Sequence, residues 1–295
     1  MGQALSNALL AKGYKVIILT RDTAGREQTG SVIYAKWDVK KQEIDTTAIQ
    51  AADHIIHLAG AGVVEKKWTE AYKKEIQDSR TESSRLIIEA LKNNLNKVKA
   101  VISASAIGWY GADHDHALSF TEETPPDNSF LGQTCKLWES GIEPVSGLGK
   151  RLVKLRIGIV LSNDGGALVE FKKPLRFGVA GILGNGKQIV SWIHIDDLCK
   201  LFIDAMENEN LSGSYNAVAP NPVSNKTLTL TLAKTMRGKF YIPMHVPEFV
   251  LKLMMGQRSM EVLKSTTVSC KKIQDTGFEF NFKTIEAAIT NLVKK

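Results

Sequence analysis

The chain has 295 residues, 43% hydrophobic and 23% charged, which is the profile of a globular protein long enough for one large domain or a domain with a small lobe. Its formal net charge is +7, but Lys and Arg are spread out, with only short clusters such as Lys271-Lys272, so a basic face for nucleic acid is not indicated. No apolar run is long enough to span a bilayer and no secretory leader opens the chain; the separated thiols Cys135, Cys199 and Cys270 form no C-x-x-C pair and point to a reducing cytoplasm rather than a disulfide or zinc framework.

In chain order, Gln3 to Lys12 reads as a helix with Ala4, Leu5, Ala8 and Leu9 on one face, and Gly13 ends it. Tyr14 to Thr20 is a buried strand, residues 31–36 a shorter one, and Asp53 to Leu58 a third that runs into Ala59-Gly60-Ala61-Gly62. A long amphipathic helix follows from Lys67 to Lys92, then a strand at Lys99 to Ser103, a helix from Phe130 to Glu139 and a strand from Arg151 to Leu161. This alternation predicts an α/β, Rossmann-type, doubly wound parallel sheet buried on both faces. After Leu161 glycines cluster (Gly165, Gly166, Gly178, Gly181, Gly184, Gly186), which predicts loops and short helices. The expected division is a dinucleotide-binding domain over 1–161, and over 162–295 a smaller C-terminal substrate lobe interleaved with the remaining Rossmann elements. Ligands of such sheets sit at the carboxyl ends of the strands.

Several segments make the reading more specific. Leu19-Thr20-Arg21, His57-Leu58-Ala59-Gly60, Asp78-Ser79-Arg80, Ser103-Ala104-Ser105-Ala106-Ile107-Gly108-Trp109-Tyr110-Gly111, Arg156-Ile157-Gly158-Ile159-Val160-Leu161, Ser191-Trp192-Ile193-His194-Ile195-Asp196-Asp197-Leu198 and Asn216-Ala217-Val218-Ala219-Pro220 occur in one order. Together they resemble the epimerase-like branch of the atypical, extended short-chain dehydrogenase/reductase proteins (family 39U), and the resemblance covers essentially the whole chain. It implies a nicotinamide dinucleotide cofactor and an oxidoreductase or epimerase acting on a small polar, for example sugar-derived, substrate.

The chain departs from that family at its amino end. The family opens with a strand and a G-x-x-G-x-x-G turn that lets backbone approach a pyrophosphate at a helix amino terminus. Here Met1-Gly2-Gln3 leads directly into the first helix, and Gly2 matches only the last glycine. The expectation is a chain that begins one strand late, either from a mis-set start or as a shortened form that binds cofactor poorly, with the two halves of its sheet unpaired along exposed edges.

An NAD-specific Rossmann protein carries Asp or Glu after its second strand. This chain has Thr20-Arg21, and a guanidinium suits a 2′-phosphate, so NADP(H) is expected over NAD(H). Asp38 falls where such folds contact adenine, or is a turn-forming Asp. Leu58, Ala59 and Gly60 end the next strand with small residues suited to a dinucleotide. By resemblance Arg80 faces the cofactor with Glu75 nearby, and Val160 lies against the nicotinamide end unless it simply packs in the core.

Standard members use Tyr-x-x-x-Lys as the proton-transfer pair. In the family register, with Glu139 anchoring its helix, that pair falls on Leu131 and Cys135, which cannot perform it. The remaining catalytic candidates are Ser105, Tyr110 and His194; each has a structural alternative, namely capping a turn, closing a lobe, or packing behind a strand. Asp196-Asp197 are expected to cap the following helix, and Gly184-Asn185-Gly186-Lys187 to form a turn. Asp113-His114-Asp115-His116 has metal-ligand residue types but lacks a rigid frame, so no metal is expected. A non-catalytic NADP(H)-binding sensor or scaffold is the alternative to an enzyme.

Overall fold

The structure is a computed structural model that describes residues 1–113 and 119–294. Its first half comprises α1 (Gly2–Ala11), β1 (Val16–Thr20), β2 (Val32–Asp38), β3 (Glu43–Ile44), α2 (Thr46–Ala51), β4 (His54–His57), α3 (Glu70–Asn93), β5 (Ala100–Ala106), a 3-10 turn (Ile107–Tyr110) and α4 (Phe130–Ile142). The second half adds β6 (Arg151–Ile157), β7 (Ile159–Leu161), α5 (Ala167–Leu175), β8 (Val179–Leu183), β9 (Ile189–Val190), β10 (Trp192–His194), α6 (Ile195–Glu207) and β11 (Gly213–Ala217). It closes with β12 (Val223–Ser224), α7 (Asn225–Arg237), β13 (Ile242–Val246), α8 (Glu248–Met255), α9 (Ser259–Leu263), α10 (Lys271–Gln274) and α11 (Ile285–Lys294).

The architecture is α/β and Rossmann-like. The main sheet runs β11-β6-β5-β4 with every neighbour parallel, so all four carboxyl ends lie on one side. Successive side chains of a strand point to opposite faces. On β5, Ala100, Ile102 and Ala104 join a core built with α1, α6 and α11, while Val101 joins a second core with Ile87, Ile88 and Leu91 of α3 and Ile142 of α4. Burial on both faces is why β5, with sequence AVISASA, carries no charged residue. A second, three-stranded sheet holds β1, β2 and β3. Among the described residues, β1 pairs only with β2 and β4 only with β5.

The long helices follow their sequence signals. Thr69 caps α3 by accepting from the Tyr72 amide, and Ser129 caps α4 by accepting from the Gly132 amide. α4 runs three residues past the expected Glu139, placing Ile142 in the core.

Three expectations are corrected. The single strand expected over Arg151 to Leu161 is two strands that break at Gly158. β6 pairs with β5 and β11, whereas β7 changes partner to β10. A Cβ at Gly158 would lie 2.6 Å from the Ser191 carbonyl oxygen and 2.7 Å from Val218 Cγ1, so only glycine lets the chain cross there. The region after Leu161 is not mainly loops and short helices: α6 and α7 have 13 residues each, and β11 returns to the main sheet beside β6. Finally, His194 rather than Asp196 or Asp197 caps α6, its Nδ1 accepting from the Asp196 amide at 3.0 Å. Asp197 is buried and accepts from the amides of Asn281 (2.8 Å) and Phe282 (2.9 Å), which holds the segment leading to α11.

Substituting Gly158→Ala forces backbone to move at a partner switch inside the core. An unfolding free energy lower by about 1–3 kcal/mol is expected in denaturant melts; an unchanged midpoint would show that the crossing tolerates a side chain.

Candidate functional site

The carboxyl ends of the parallel strands are where the chain gathers its polar residues. After β4 come Leu58 and Ala59, half-buried, and Gly60, exposed. The loop behind them is tied to α3. Ser79 Oγ accepts from the Ala61 amide at 2.9 Å, Tyr72 donates its hydroxyl to the Gly62 carbonyl, and Arg80 Nη1 donates to the carbonyls of Ala61 (3.1 Å) and Ile76 (2.8 Å). The Arg80 guanidinium lies 4.7 Å from the Trp138 ring centroid. A Cβ on Gly60 would sit 3.0 Å from Arg80 Cζ, so the absence of a side chain allows this close approach. Leu58, Ala59, Gly60 and Arg80 therefore form one group. Glu75 points away into an exposed ion pair with Lys66 at 3.4 Å.

At the end of β1, Thr20 Oγ1 accepts weakly from the Asp22 amide (3.4 Å), and Asp22 Oδ1 turns back to the Ala24 amide (2.9 Å). Arg21 is exposed between them. Asp38 ends β2 as a turn former, its Oδ1 accepting from the amides of Lys40 (3.0 Å) and Lys41 (3.2 Å). Gly2 opens α1, which packs on α6 and leads through residues 12–15 into β1. α1 has no acidic residue in its first turn and no side-chain cap. Val160 is half-buried on β7, paired with Ile193 and packed against the main core.

Behind the strand tips lies a buried polar network centred on Arg156 of β6. Its Nε and Nη2 donate to the two oxygens of Glu139 (2.8 and 3.0 Å), a bidentate pair with both residues under 5% exposed. Its Nη1 donates to the Tyr110 hydroxyl (3.0 Å) and the Glu122 carbonyl (3.1 Å), and its guanidinium stacks 3.7 Å over Trp109. Burial alone would lower the Arg156 pKa, but the Glu139 carboxylate outweighs it and the guanidinium is held more firmly protonated. Glu139 also accepts from Ser105 (2.7 Å) and Ser214 (3.2 Å). The Tyr110 hydroxyl donates to Asn216 Oδ1 at 2.5 Å, and Asn216 in turn donates its backbone amide to Glu122 Oε1 (2.7 Å) and Nδ2 to the Ser269 carbonyl (3.0 Å).

The three catalytic candidates do not converge. Ser105 and Tyr110 belong to the Arg156 network, and burial pushes the Tyr110 phenol up to about 12 against the pull of Arg156. His194 lies elsewhere, fully buried as the α6 cap and stacked on Phe282 at 3.8 Å. Leu131 and Cys135 flank Gly108, where a Cβ would meet Leu131 Cβ at 3.3 Å and Cys135 Sγ at 3.6 Å. Burial first, then the Glu139 carboxylate, push the Cys135 thiol up to about 12, so it stays a neutral thiol. Neither residue can stand in for a phenol and an ammonium. Of the Asp113-His114-Asp115-His116 run, only Asp113 falls within the described residues, and no group of metal-ligating side chains occurs among those residues.

Sequence reasoning missed the hub itself. Arg156 alternates with Lys154 along a strand whose other residues from Leu152 to Ile157 are apolar, and His57 ends a strand that also begins with a histidine, so neither was singled out locally. His57 is buried between Ser83 Oγ (Nε2, 2.9 Å) and Ser103 Oγ (Nδ1, 3.2 Å), edge-on to Trp138. Two hydroxyls satisfy a neutral ring, one accepting and one donating. Burial, aided by Arg80, lowers its pKa to about 4.

The profile of the NAD dependent epimerase/dehydratase family matches residues 1–132, and that of a domain of unknown function, DUF1731, matches 246–292. The chain is 33% identical over 294 residues to the epimerase family protein YfhF of Bacillus subtilis, covering 99% of this chain and 94% of that one. An epimerase family protein of Staphylococcus aureus is 34% identical over 298 residues, covering 100% and 96%. Among solved structures, the human epimerase family protein SDR39U1 (isoform 2) with NADPH superposes with a TM-score of 0.86 at 26% identity, covering 99% of this chain and 95% of that one. A nucleoside-diphosphate sugar epimerase from Corynebacterium glutamicum gives 0.76 at 29% identity, covering 99% of this chain and 55% of that one. The UDP-glucose 4-epimerase of Thermus thermophilus with NAD gives 0.77 at 16% identity, covering 99% and 94%, a likeness of fold alone.

Two measurements follow from the buried groups. Glu139→Leu leaves the Arg156 cation buried without its carboxylate and should cost about 3–5 kcal/mol in denaturant melts, whereas pairing it with Arg156→Met should cost less than the two single losses added; strict additivity would deny the coupling. His57 has a folded pKa of about 4, below its ordinary 6.5, so the unfolded chain binds more protons between those values. Its contribution is intact above about pH 6.5 and is lost as pH falls toward 4, by about 3 kcal/mol in all. His57→Gln should flatten that part of the stability–pH curve; an unaltered slope would place the acid sensitivity elsewhere.

Proposed function

The chain belongs to the epimerase family, and from that premise we propose that it binds NADP(H) at the carboxyl ends of its parallel strands. The observation that carries the cofactor choice is Arg21, exposed directly after β1, where an acidic residue would repel a 2′-phosphate. The nearest carboxylate in sequence, Asp22, is turned onto its own loop amide. Two further features fit a dinucleotide. The amino end of α1, with Gly2 and no acidic first-turn residue, favours a phosphate. Gly60, exposed and without a side chain, leaves its backbone open to a ligand at the end of β4. Asp38 and Thr20 would border the adenosine end, Val160 the nicotinamide end, and Glu75 the outer rim.

A bound nicotinamide supplies or accepts a hydride; the proton that accompanies epimerase or reductase chemistry has to come from the chain. Here the side chains favour a second reading. In the register that the family resemblance implies, the usual proton-transfer pair falls on Leu131 and Cys135; Ser105 and Tyr110 are committed to Glu139, Asn216 and Arg156, and His194 caps a helix. This favours an NADP(H)-binding sensor or scaffold over an oxidoreductase or epimerase for a small polar substrate. In either case Ser105 and Tyr110 act as positioning residues that hold the strand tips.

Calorimetry with NADPH and NADH tests the binding. Arg21→Ala should weaken NADPH by about tenfold or more and NADH far less, the loss of one charge-assisted contact; equal weakening would remove the 2′-phosphate argument. Hydride exchange between NADPH and a panel of small carbonyl and sugar-nucleotide substrates separates the two readings. No exchange supports the sensor; turnover of any substrate by the unaltered chain would restore the enzyme, and turnover that survives Ser105→Ala, Tyr110→Phe and His194→Ala would rule these three out as its proton-transfer groups.

A further inference from the structure

The cations are spread along the sequence, but the fold gathers two groups of them. Lys172 to Gly178, at the end of α5, and Lys234 to Ile242, from α7 into β13, carry Lys172, Lys173, Arg176, Lys234, Arg237 and Lys239; Lys173 pairs with Glu170 at 2.7 Å and Lys172 is tied to Asn163 Oδ1 and the Leu292 carbonyl, so the cations that face out beside the rings are Arg176 and Lys239. The fold seats one segment on the other. Arg237 Nε donates to the Leu175 carbonyl at 2.9 Å and its Nη2 to that of Arg176, and the Ile242 amide donates to the Gly178 carbonyl at 2.8 Å. β13 then pairs in parallel with β8.

At this junction the apolar residues face out. Phe177 is 87% and Phe240 86% exposed, each next in sequence to an exposed cation, Arg176 and Lys239. On β13, Ile242 (66% exposed) and Met244 (52%) are two residues apart and share a face. A single exposed apolar residue needs no account, but two uncovered phenylalanines with aliphatic neighbours and adjoining cations form a patch.

The charge decides what such a patch can meet. A second copy docked face to face would set these cations against their own kind. Single-stranded nucleic acid would engage the cations and stack on the rings, but would find no use for Ile242 and Met244. An anionic bilayer matches all of it: aromatic and aliphatic side chains enter the headgroup–acyl boundary while Lys and Arg stay at headgroup level. No helix among the described residues is long and apolar enough to cross a membrane, so contact would be peripheral.

We infer that the corner where the end of α5 meets the α7–β13 segment is a membrane-docking surface that seats Phe177 and Phe240 in an anionic lipid bilayer. The surface lies on elements separate from Arg21 and Gly60 and does not depend on nucleotide binding.

Co-sedimentation of the full chain with vesicles tests it, using phosphatidylcholine alone and phosphatidylcholine with phosphatidylglycerol at roughly two to one. Pelleting with the anionic vesicles only is expected. Arg176→Gln and Lys239→Gln should each lower the partition constant about fivefold, and salt should do the same. The Phe177→Ser, Phe240→Ser pair should abolish pelleting with no change in melting temperature, because both side chains are exposed. No pelleting with anionic vesicles, or pelleting that survives loss of both phenylalanines, overturns the inference. So does self-association without vesicles that the serine pair dissolves, or tighter retention on single-stranded DNA than on vesicles.

Discussion

The buried Arg156–Glu139 pair is the constraint around which the rest is arranged. Taking a guanidinium and a carboxylate out of water costs several kcal/mol each, and mutual attraction offsets this only when the remaining donors and acceptors are also met. Here they are met by residues from different elements: Ser105 from β5, Ser214 from β11, Tyr110 from the 3-10 turn, and the Glu122 carbonyl from the segment beyond it. Each partner must arrive at a fixed place, so the pair pins the register of three strands and the seat of α4. A hydrophobic pair could fill the volume, but it could not demand those partners.

That constraint shapes what the strand tips can do. Serine, tyrosine and a charged partner are the residue types from which proton-transfer sites are built, and here they are used to satisfy one another. A phenol held at about 12 and hydrogen-bonded to both Arg156 and Asn216 is poorly placed to exchange its proton near neutrality. Leu131 and Cys135, packed on Gly108, make the neighbouring ground apolar and uncharged. What stays accessible is the backbone at Gly60 and the Arg21 cation beyond β1, while Arg80 is buried behind Gly60 on the carbonyls of Ala61 and Ile76.

The alternation of elements could be read from sequence because each element buries a periodic stripe: Leu5 and Leu9 on α1, and opposite faces of β5 in two cores. The break at Gly158 could not, because its cause is the Ser191 carbonyl and Val218, distant in sequence and brought close only by folding. His194 was visible as a titratable side chain but not as a cap, since a histidine before two aspartates leaves the acidic pair as the stronger local signal. Arg156 is one of three cations on β6, with Arg151 and Lys154. Its partners lie 17, 34 and 46 residues away, so nothing local distinguished a hub from an ordinary half-buried side chain. Arg21 and Gly60 were legible because their significance is local, a residue type at the end of a strand.

The molecule departs from the usual sorting of polar and apolar groups in two places, and the departures differ in kind. The buried charges of the Arg156 network are closed on themselves, with each formal charge given a partner from the same chain. The uncovered rings of Phe177 and Phe240 receive nothing comparable from the chain, although the backbone beneath them is well tied by Arg237 and the β8–β13 ladder. A frayed segment would expose apolar side chains through lack of structure; this one presents them from a hydrogen-bonded base beside cations. Groups held out in this way gain free energy only from a surface that removes them from water while keeping the adjoining cations solvated or paired, a condition that protein interiors rarely meet and an anionic interface does.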